Sequence, residues 1–209
     1  MAKTEAFEAN LDRYEAWFDK NIFVYQAELR AIKSFLPPDG KGLEINVGSG
    51  LFAAPLGIRH GIEPSLAMAA KARKRGIDVT QGIAEALPFG DAVFDFALMI
   101  TTVCFLDDLD AAFSETNRVL KPNATFVVGF VDKNSPLGRE YEQYKKKSLF
   151  YKDATFYAVD DLLAHLTKAG FSEFSFAQTV FGLLSDIRDD ERIKPGYSDG
   201  SFVVIRAMK

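Results

Sequence analysis

The stretch Leu43-Glu44-Ile45-Asn46-Val47-Gly48-Ser49-Gly50-Leu51-Phe52-Ala53-Ala54 constrains this chain more than any other. It begins as a short apolar strand and breaks into a glycine turn. Glycine takes positive φ without a Cβ penalty and lets a ligand lie against bare backbone, so Gly48 and Gly50 suit a strand-to-helix turn that holds something. A tight turn that binds nothing is the alternative, and two glycines do not separate the two readings. The residues on either side of the turn have to decide.

Five apolar segments and their connections frame that turn. Phe7, Leu11, Tyr14 and Phe18 recur at helical spacing, with Trp17 beside the last; Ile22, Tyr25, Leu29, Ile32 and Leu36 repeat the pattern after Asn21, so two amphipathic helices are expected before the sheet. Pro37-Pro38-Asp39-Gly40 ends the second. Strands are expected at 42–46, 58–62, 77–81, 94–100 and 125–131. Pro55 limits 52–56 to a short helix. A helix from 64 to 72 closes on Arg73-Lys74-Arg75-Gly76, and a helix from 107 to 120 stops at Lys121-Pro122-Asn123. Strands that alternate with helices imply a parallel sheet covered on both faces. After it, 135–156 reads as irregular and aromatic, 159–169 as a helix, and 171–179 and 200–207 as two antiparallel strands joined by a long polar loop. The expected fold is therefore α/β and Rossmann-like, a seven-stranded, mostly parallel sheet with its last two strands antiparallel.

Length and composition fit that outline. A chain of 209 residues with 48% hydrophobic content suits one domain: N-terminal helices over 1–41, a core over 42–131 and a cover with the antiparallel strands over 132–209. The net charge of -4, with basic residues dispersed apart from 73–75 and 145–147, argues against nucleic acid as a partner. Cys104 is the only cysteine, so neither an intrachain disulfide nor a cysteine-rich metal site is expected. The first residues do not read as a secretory signal, and 93–106, interrupted by Asp95, is too short to span a bilayer; a cytoplasmic setting without membrane contact is expected.

Two chemistries compete for the glycine turn. Gly48-Ser49-Gly50-Leu51-Phe52-Ala53 fits the G-x-G-x-x-A fingerprint of NAD(P)-dependent oxidoreductases, with Glu63 where an acid would hold ribose hydroxyls. Against this, Glu44 sits just before the turn, where a pyrophosphate would make a carboxylate costly and a cationic ligand would welcome it.

Taken with its flanking motifs, the sequence resembles the class I S-adenosylmethionine-dependent methyltransferases, in particular the small-molecule group that includes the ubiquinone and menaquinone methyltransferases. Residues 44–50 are similar to their first motif, Gly61-Ile62-Glu63-Pro64-Ser65 to the ribose-binding strand end, and Gly82-Ile83-Ala84-Glu85-Ala86-Leu87-Pro88-Phe89 to the adenine-contacting turn; Phe94-Asp95 and Arg118-Val119-Leu120-Lys121-Pro122 complete the set. The resemblance implies S-adenosyl-L-methionine as cofactor and an unidentified small-molecule acceptor. Glu63 would accept both ribose hydroxyls, and the Ala84 N–H would meet an adenine nitrogen. Ile83 stands where the family often has a polar residue. Asn46 replaces the usual first glycine and would either reach the methionine end or cap the turn. Thr101 is placed for a backbone contact to the methionine end, or is a plain strand-end threonine. Tyr14 and Trp17 are lid candidates, while Phe18 is expected to pack.

The reaction dictates no catalytic side chain, since it mainly needs its acceptor in line and water excluded. His60 reads as a core histidine and His165 as a solvated helix residue. The aromatic residues between 141 and 157 are either a substrate cover or packing. Departures at Asn46 and Ile83 leave a non-catalytic S-adenosylmethionine-binding module as a further alternative. Glu85 is expected to matter less for binding than Glu63.

Overall fold

The computed structural model describes residues 4–189 and 191–209. Strands β1 (Gly42–Ile45), β2 (His60–Glu63), β3 (Asp78–Gln81), β4 (Phe94–Ile100) and β5 (Leu120–Val131) pair in parallel, and β6 (Ser172–Thr179), β7 (Lys194–Pro195) and β8 (Phe202–Met208) complete one sheet in the order β3-β2-β1-β4-β5-β8-β6-β7. β8 runs antiparallel to both β5 and β6. The sheet thus has eight strands where seven were expected. The eighth is the two-residue β7, paired with Ala177 and Gln178, which lies in the polar loop and carries a proline tolerable only at an edge.

The central strands are buried on both sides. Along β4, Phe96, Leu98 and Ile100 join one apolar cluster and Ala97 and Met99 the other, as period-two alternation requires. Helices α3 (Ile22–Lys33) and α4 (Leu66–Lys74) fill the first cluster, and α5 (Leu109–Val119) and α7 (Val159–Lys168) the second. Gly61 allows Val47 to lie on β2, since a Cβ there would fall 2.7 Å from a Val47 methyl.

Several sequence expectations are corrected. The first helix is two, α1 (Glu5–Ala9) and α2 (Leu11–Lys20), broken at Asn10, whose side-chain Nδ2 donates to the Ala6 carbonyl at 2.9 Å. Residues 52–56 form turns rather than a helix: Ala54 and Leu56 donate in helical fashion, but Pro55 has no N–H to continue the ladder. Lys121-Pro122-Asn123 does stop α5, yet lies within β5, where the pairing shifts register between Phe94–Leu120 and Phe96–Thr125. Residues 136–144 form a helix, α6 (Pro136–Tyr144), because the Ser135 hydroxyl accepts from Gly138 N at 2.9 Å and Pro136 opens the first turn. His60 is half-buried, its Nδ1 3.9 Å from the Asp78 carboxylate, so it is a strand-start residue near the sheet edge and not core. His165 does lie on a helix flank, 2.5 Å from Asp110. Among the described residues no helix is long and apolar enough to cross a membrane, and no His, Cys, Asp and Glu cluster could hold a metal ion.

Candidate functional site

Strand order reverses between β1 and β4, so the connections leaving β1 and β4 diverge and open a crevice beyond the strands' carboxyl ends. Asn46 follows β1, Glu63 ends β2 and Thr101 follows β4, so three sequence-predicted residues reach the crevice from neighbouring strands. A cavity of about 540 Å³ opens there, the size of a small-ligand site. It is lined by Tyr14, Trp17, Asn46, Gly48, Glu63, Ile83, Ala84 and Thr101, eight of the ten predicted residues. Asn46 has φ 55°, which explains the missing glycine: asparagine tolerates the left-handed region that this turn requires. Thr101, β-branched at φ 51°, is a strained residue, held by its N–H donating to the Gly129 carbonyl at 2.7 Å.

The other two predicted residues lie behind the cavity wall. Gly50 is a packing glycine with φ +85°; a Cβ there would fall 2.5 Å from Ile77 Cδ1. Glu44 is buried, and burial pushes its carboxyl well above the usual range, with the nearby Glu63 adding to the rise; its Oε2 has no hydrogen-bond partner among the described residues. The Asn46 Oδ1 is likewise buried and unpartnered. Of these two orphaned acceptors Asn46 lines the cavity, and its Oδ1 fits a ligand that brings N–H donors, as the methionine end of S-adenosylmethionine does.

Glu63 is fixed by the backbone. Its Oε2 accepts from Gly48 N at 2.8 Å and its Oε1 from Ser65 N at 2.9 Å, which leaves further lone pairs on both oxygens for two hydroxyls. Burial outweighs those bonds and raises the carboxyl to about 7. Ile83 and Ala86 form a short antiparallel bridge that shapes the turn around Ala84. Arg118 braces it: Nη2 and Nη1 donate to the Leu87 and Phe89 carbonyls at 2.9 and 2.8 Å, while Nε pairs with Glu115, whose other oxygen accepts from Leu87 N. Glu85 also accepts from Asp107 N at 3.0 Å, so its side chain ties the turn to the segment before α5 instead of standing idle.

The N-terminal helices form the roof. A Cβ at Gly48 would meet the Tyr14 hydroxyl at 3.7 Å, so that hydroxyl lies over the glycine turn, and burial, with Glu44 and Glu63 nearby, pushes its pKa up. Glu15 pairs with Lys71 at 2.9 Å and Arg75 at 2.7 Å on the α4 side, and Arg75 donates to the Ser49 carbonyl at 2.8 Å. Phe18 packs edge-on against Phe52 and Tyr25, as expected. Phe7 stacks on Phe150 at 5.1 Å, so the roof meets the 145–157 segment ring to ring.

Sequence reading missed Glu28. It lies on the buried face of α3 with Val24, Ala31 and Ile32, lines the cavity and is 5% exposed. The signal was there: an acid at i+4 from Val24 and i−4 from Ile32, in the middle of an apolar stripe.

Comparison with known proteins agrees with this geometry. Residues 43–128 match the family model described as a methyltransferase domain. An uncharacterised protein of Methanocaldococcus jannaschii is 40% identical over 203 residues, covering 97% of this chain and 98% of its own. An uncharacterised protein of Mycobacterium tuberculosis is 35% identical over 162 residues, 76% of this chain and 57% of its own. A solved Thermotoga maritima structure, named as an S-adenosylmethionine-dependent methyltransferase and "possible histamine N-methyltransferase", superposes with a TM-score of 0.96 at 50% identity over 99% of both chains. These findings favour a methyltransferase over the oxidoreductase alternative, and the chain belongs to the S-adenosylmethionine-dependent methyltransferases.

Proposed function

We propose that this methyltransferase acts on a small amine held in the same cavity as the cofactor. The observation that carries the reading is the continuity of that cavity: one space runs from Asn46, Gly48 and Glu63 to Tyr141, Phe150 and Tyr151. Glu63 would hold the ribose, the Ala84 backbone the adenine, and Asn46 and Thr101 the methionine end. When bound, the cofactor supplies a methyl carbon on a positively charged sulfur, open to displacement by a lone pair. The protein's part is to orient the acceptor and exclude water, and the roof of Tyr14, Trp17 and Phe7 supports both. The name of the Thermotoga neighbour points toward nitrogen as the accepting atom.

The test has two steps. Calorimetry should show binding of S-adenosylhomocysteine and none of NADH. Incubation with methyl-labelled cofactor and a panel of small amines, histamine among them, should then label an amine, while matched alcohols and thiols stay unlabelled. Labelling confined to the alcohols or thiols overturns the nitrogen assignment.

A further inference from the structure

Among the acids that line the cavity, Glu28 alone is both buried and without a partner. Glu63 accepts two backbone N–H groups and Glu85 one or two more. Glu140 is exposed to solvent. Glu28 makes no hydrogen bond or ion pair with any described residue, although its charge bears on Tyr14, Tyr25, Tyr141 and Tyr151. A buried carboxyl with nothing to pair with is costly to ionise, and a ligand that brings positive charge removes that cost.

We propose that Glu28 is the carboxylate that receives the protonated nitrogen of the acceptor, and that it restricts this site to amines. The proposal rests on the reading of the cavity as a methyltransferase acceptor site. Three features favour a cationic amine. The residue is an acid on an apolar helix face, so charge compensation has to come from the cavity. Tyr141, Tyr151 and Phe105 line the same cavity, and the charge of Glu28 bears on the first two, so an aromatic wall of the kind that favours cations stands near the acid. Finally, Tyr141 and Tyr151 belong to the 136–157 cover, so the influence of Glu28 reaches beyond Tyr14, over the glycine turn, to the far side of the cavity, where the glycine turn's own Glu44 and Glu63 are not among the groups bearing on these two rings.

The same carboxyl suits the chemistry that an amine needs. An ammonium has no lone pair and cannot accept a methyl group until a proton leaves. Burial raises Glu28 to about 8 in the open cavity, so its carboxyl gives up a proton to solvent as the ammonium binds; in the step that frees the lone pair the N–H bond then breaks, an O–H bond forms on Glu28, and the electron pair stays on nitrogen. The proton passes to solvent when the product departs.

The experiment is a calorimetric titration of the full chain saturated with S-adenosylhomocysteine. The probes are 2-phenylethylamine, 1,4-diaminobutane and histamine, with 2-phenylethanol as the neutral counterpart of the first. At least one amine should bind, and the alcohol should bind at least tenfold more weakly than 2-phenylethylamine. Glu28→Gln keeps shape and removes charge; it should weaken amine binding by roughly tenfold to a hundredfold, change S-adenosylhomocysteine affinity by less than about twofold, and keep a cooperative melt, while Glu28→Asp should recover part of the loss. The proposal is overturned if no amine binds, if amine and alcohol bind alike, or if Glu28→Gln leaves amine affinity unchanged. Equal losses for amine and S-adenosylhomocysteine would assign Glu28 to the cofactor instead and also overturn it. Failure of the wider reading looks different: the wild type would not bind S-adenosylhomocysteine before any amine is added, or would bind amines through Glu28 yet transfer no methyl group to them.

Discussion

The two ends of the cavity are built by different means. At the cofactor end, the walls are backbone: the glycine turn, the ends of β1, β2 and β4, and the braced turn at Ala84, each set by short local motifs. At the end we assign to the acceptor, the walls are side chains from α1, α2, α3 and the 136–157 segment, brought together from distant parts of the chain. Backbone walls suit a ligand that never changes, because main-chain N–H and C=O groups are held by the sheet itself. Side-chain walls can be exchanged residue by residue without disturbing the strands, which suits the part of the site that sets specificity.

The largest effect should come from attacking the backbone wall. Gly50→Val would force a β-branched residue to φ near +85° and drive its Cβ to within 2.5 Å of Ile77 Cδ1. We expect a loss of about 3 kcal/mol in urea unfolding, from overpacking and backbone strain together. A variant as stable as wild type would mean that the cofactor end is as adaptable as the acceptor end.

Glu63→Ala should come next, and should act on binding more than on folding. Removal of one charged acceptor costs about 1.5 to 3 kcal/mol, so S-adenosylhomocysteine affinity should fall roughly tenfold to a hundredfold with a cooperative melt retained. Glu85→Ala sharpens the contrast: it deprives Asp107 N of its acceptor, so it should lower the melting temperature more than it lowers affinity. If Glu63→Ala binds like wild type, the ribose lies elsewhere.

Both ends contribute to one signature in pH. Burial raises Glu28 to about 8 and Glu63 to about 7, against ordinary values near 4.5, so between those limits the folded protein holds protons that the unfolded chain releases. Their contribution is fully present below about pH 4.5 and is lost as pH rises through 7 and then 8. Each group adds a slope of at most about 1.4 kcal/mol per pH unit. Glu28→Gln should therefore flatten the stability curve between pH 5 and 8 and gain on the wild type toward pH 8. Parallel curves for the two proteins would show that Glu28 has an ordinary carboxyl.

The smallest effect concerns the seam between the ends. Glu15→Ala breaks half-buried pairs with Lys71 and Arg75, worth less than about 1 kcal/mol, and should leave equilibrium unfolding nearly unchanged. Its consequence should appear in stopped-flow kinetics as faster release of S-adenosylhomocysteine, because α2 forms the roof over Gly48. An unchanged release rate would mean that the roof is held by its rings alone.

What could be read from the residues, and what could not, divides along the same line. Periodicity located β4 to the residue and α5 and α7 within two residues at either end, because a strand buried on both faces and a helix with one apolar face each leave a local record. Motif spacing found six of the cavity's lining residues, Asn46, Glu63 and Thr101 among them, because each sits at or just beyond a strand end and the sheet order brings those ends together; Tyr14 and Trp17, on α2, came from helical spacing and the resemblance. α6 was not legible: only Leu137, Tyr141 and Tyr144 mark its apolar side, and its start depends on the Ser135 cap. Glu44 and Gly50 belong to the motif yet lie behind the wall, since spacing along a chain does not say which face of a turn meets the ligand. Glu85 found a partner 22 residues away that no local pattern announces.

The sequence by itself determined the parallel core, the antiparallel finish and the glycine turn with its acid on the neighbouring strand, since these depend on hydrophobic period, turn chemistry and chain order. Only the tertiary structure decided that Phe7 would meet Phe150 over the cavity, that Arg118 would brace the turn at Ala84, and that Glu28 would line the cavity with no hydrogen-bond partner among the described residues. Those contacts join residues 29 to 143 positions apart or leave a charge alone among rings, and their energies arise from burial and mutual geometry that exist only once the layers have packed.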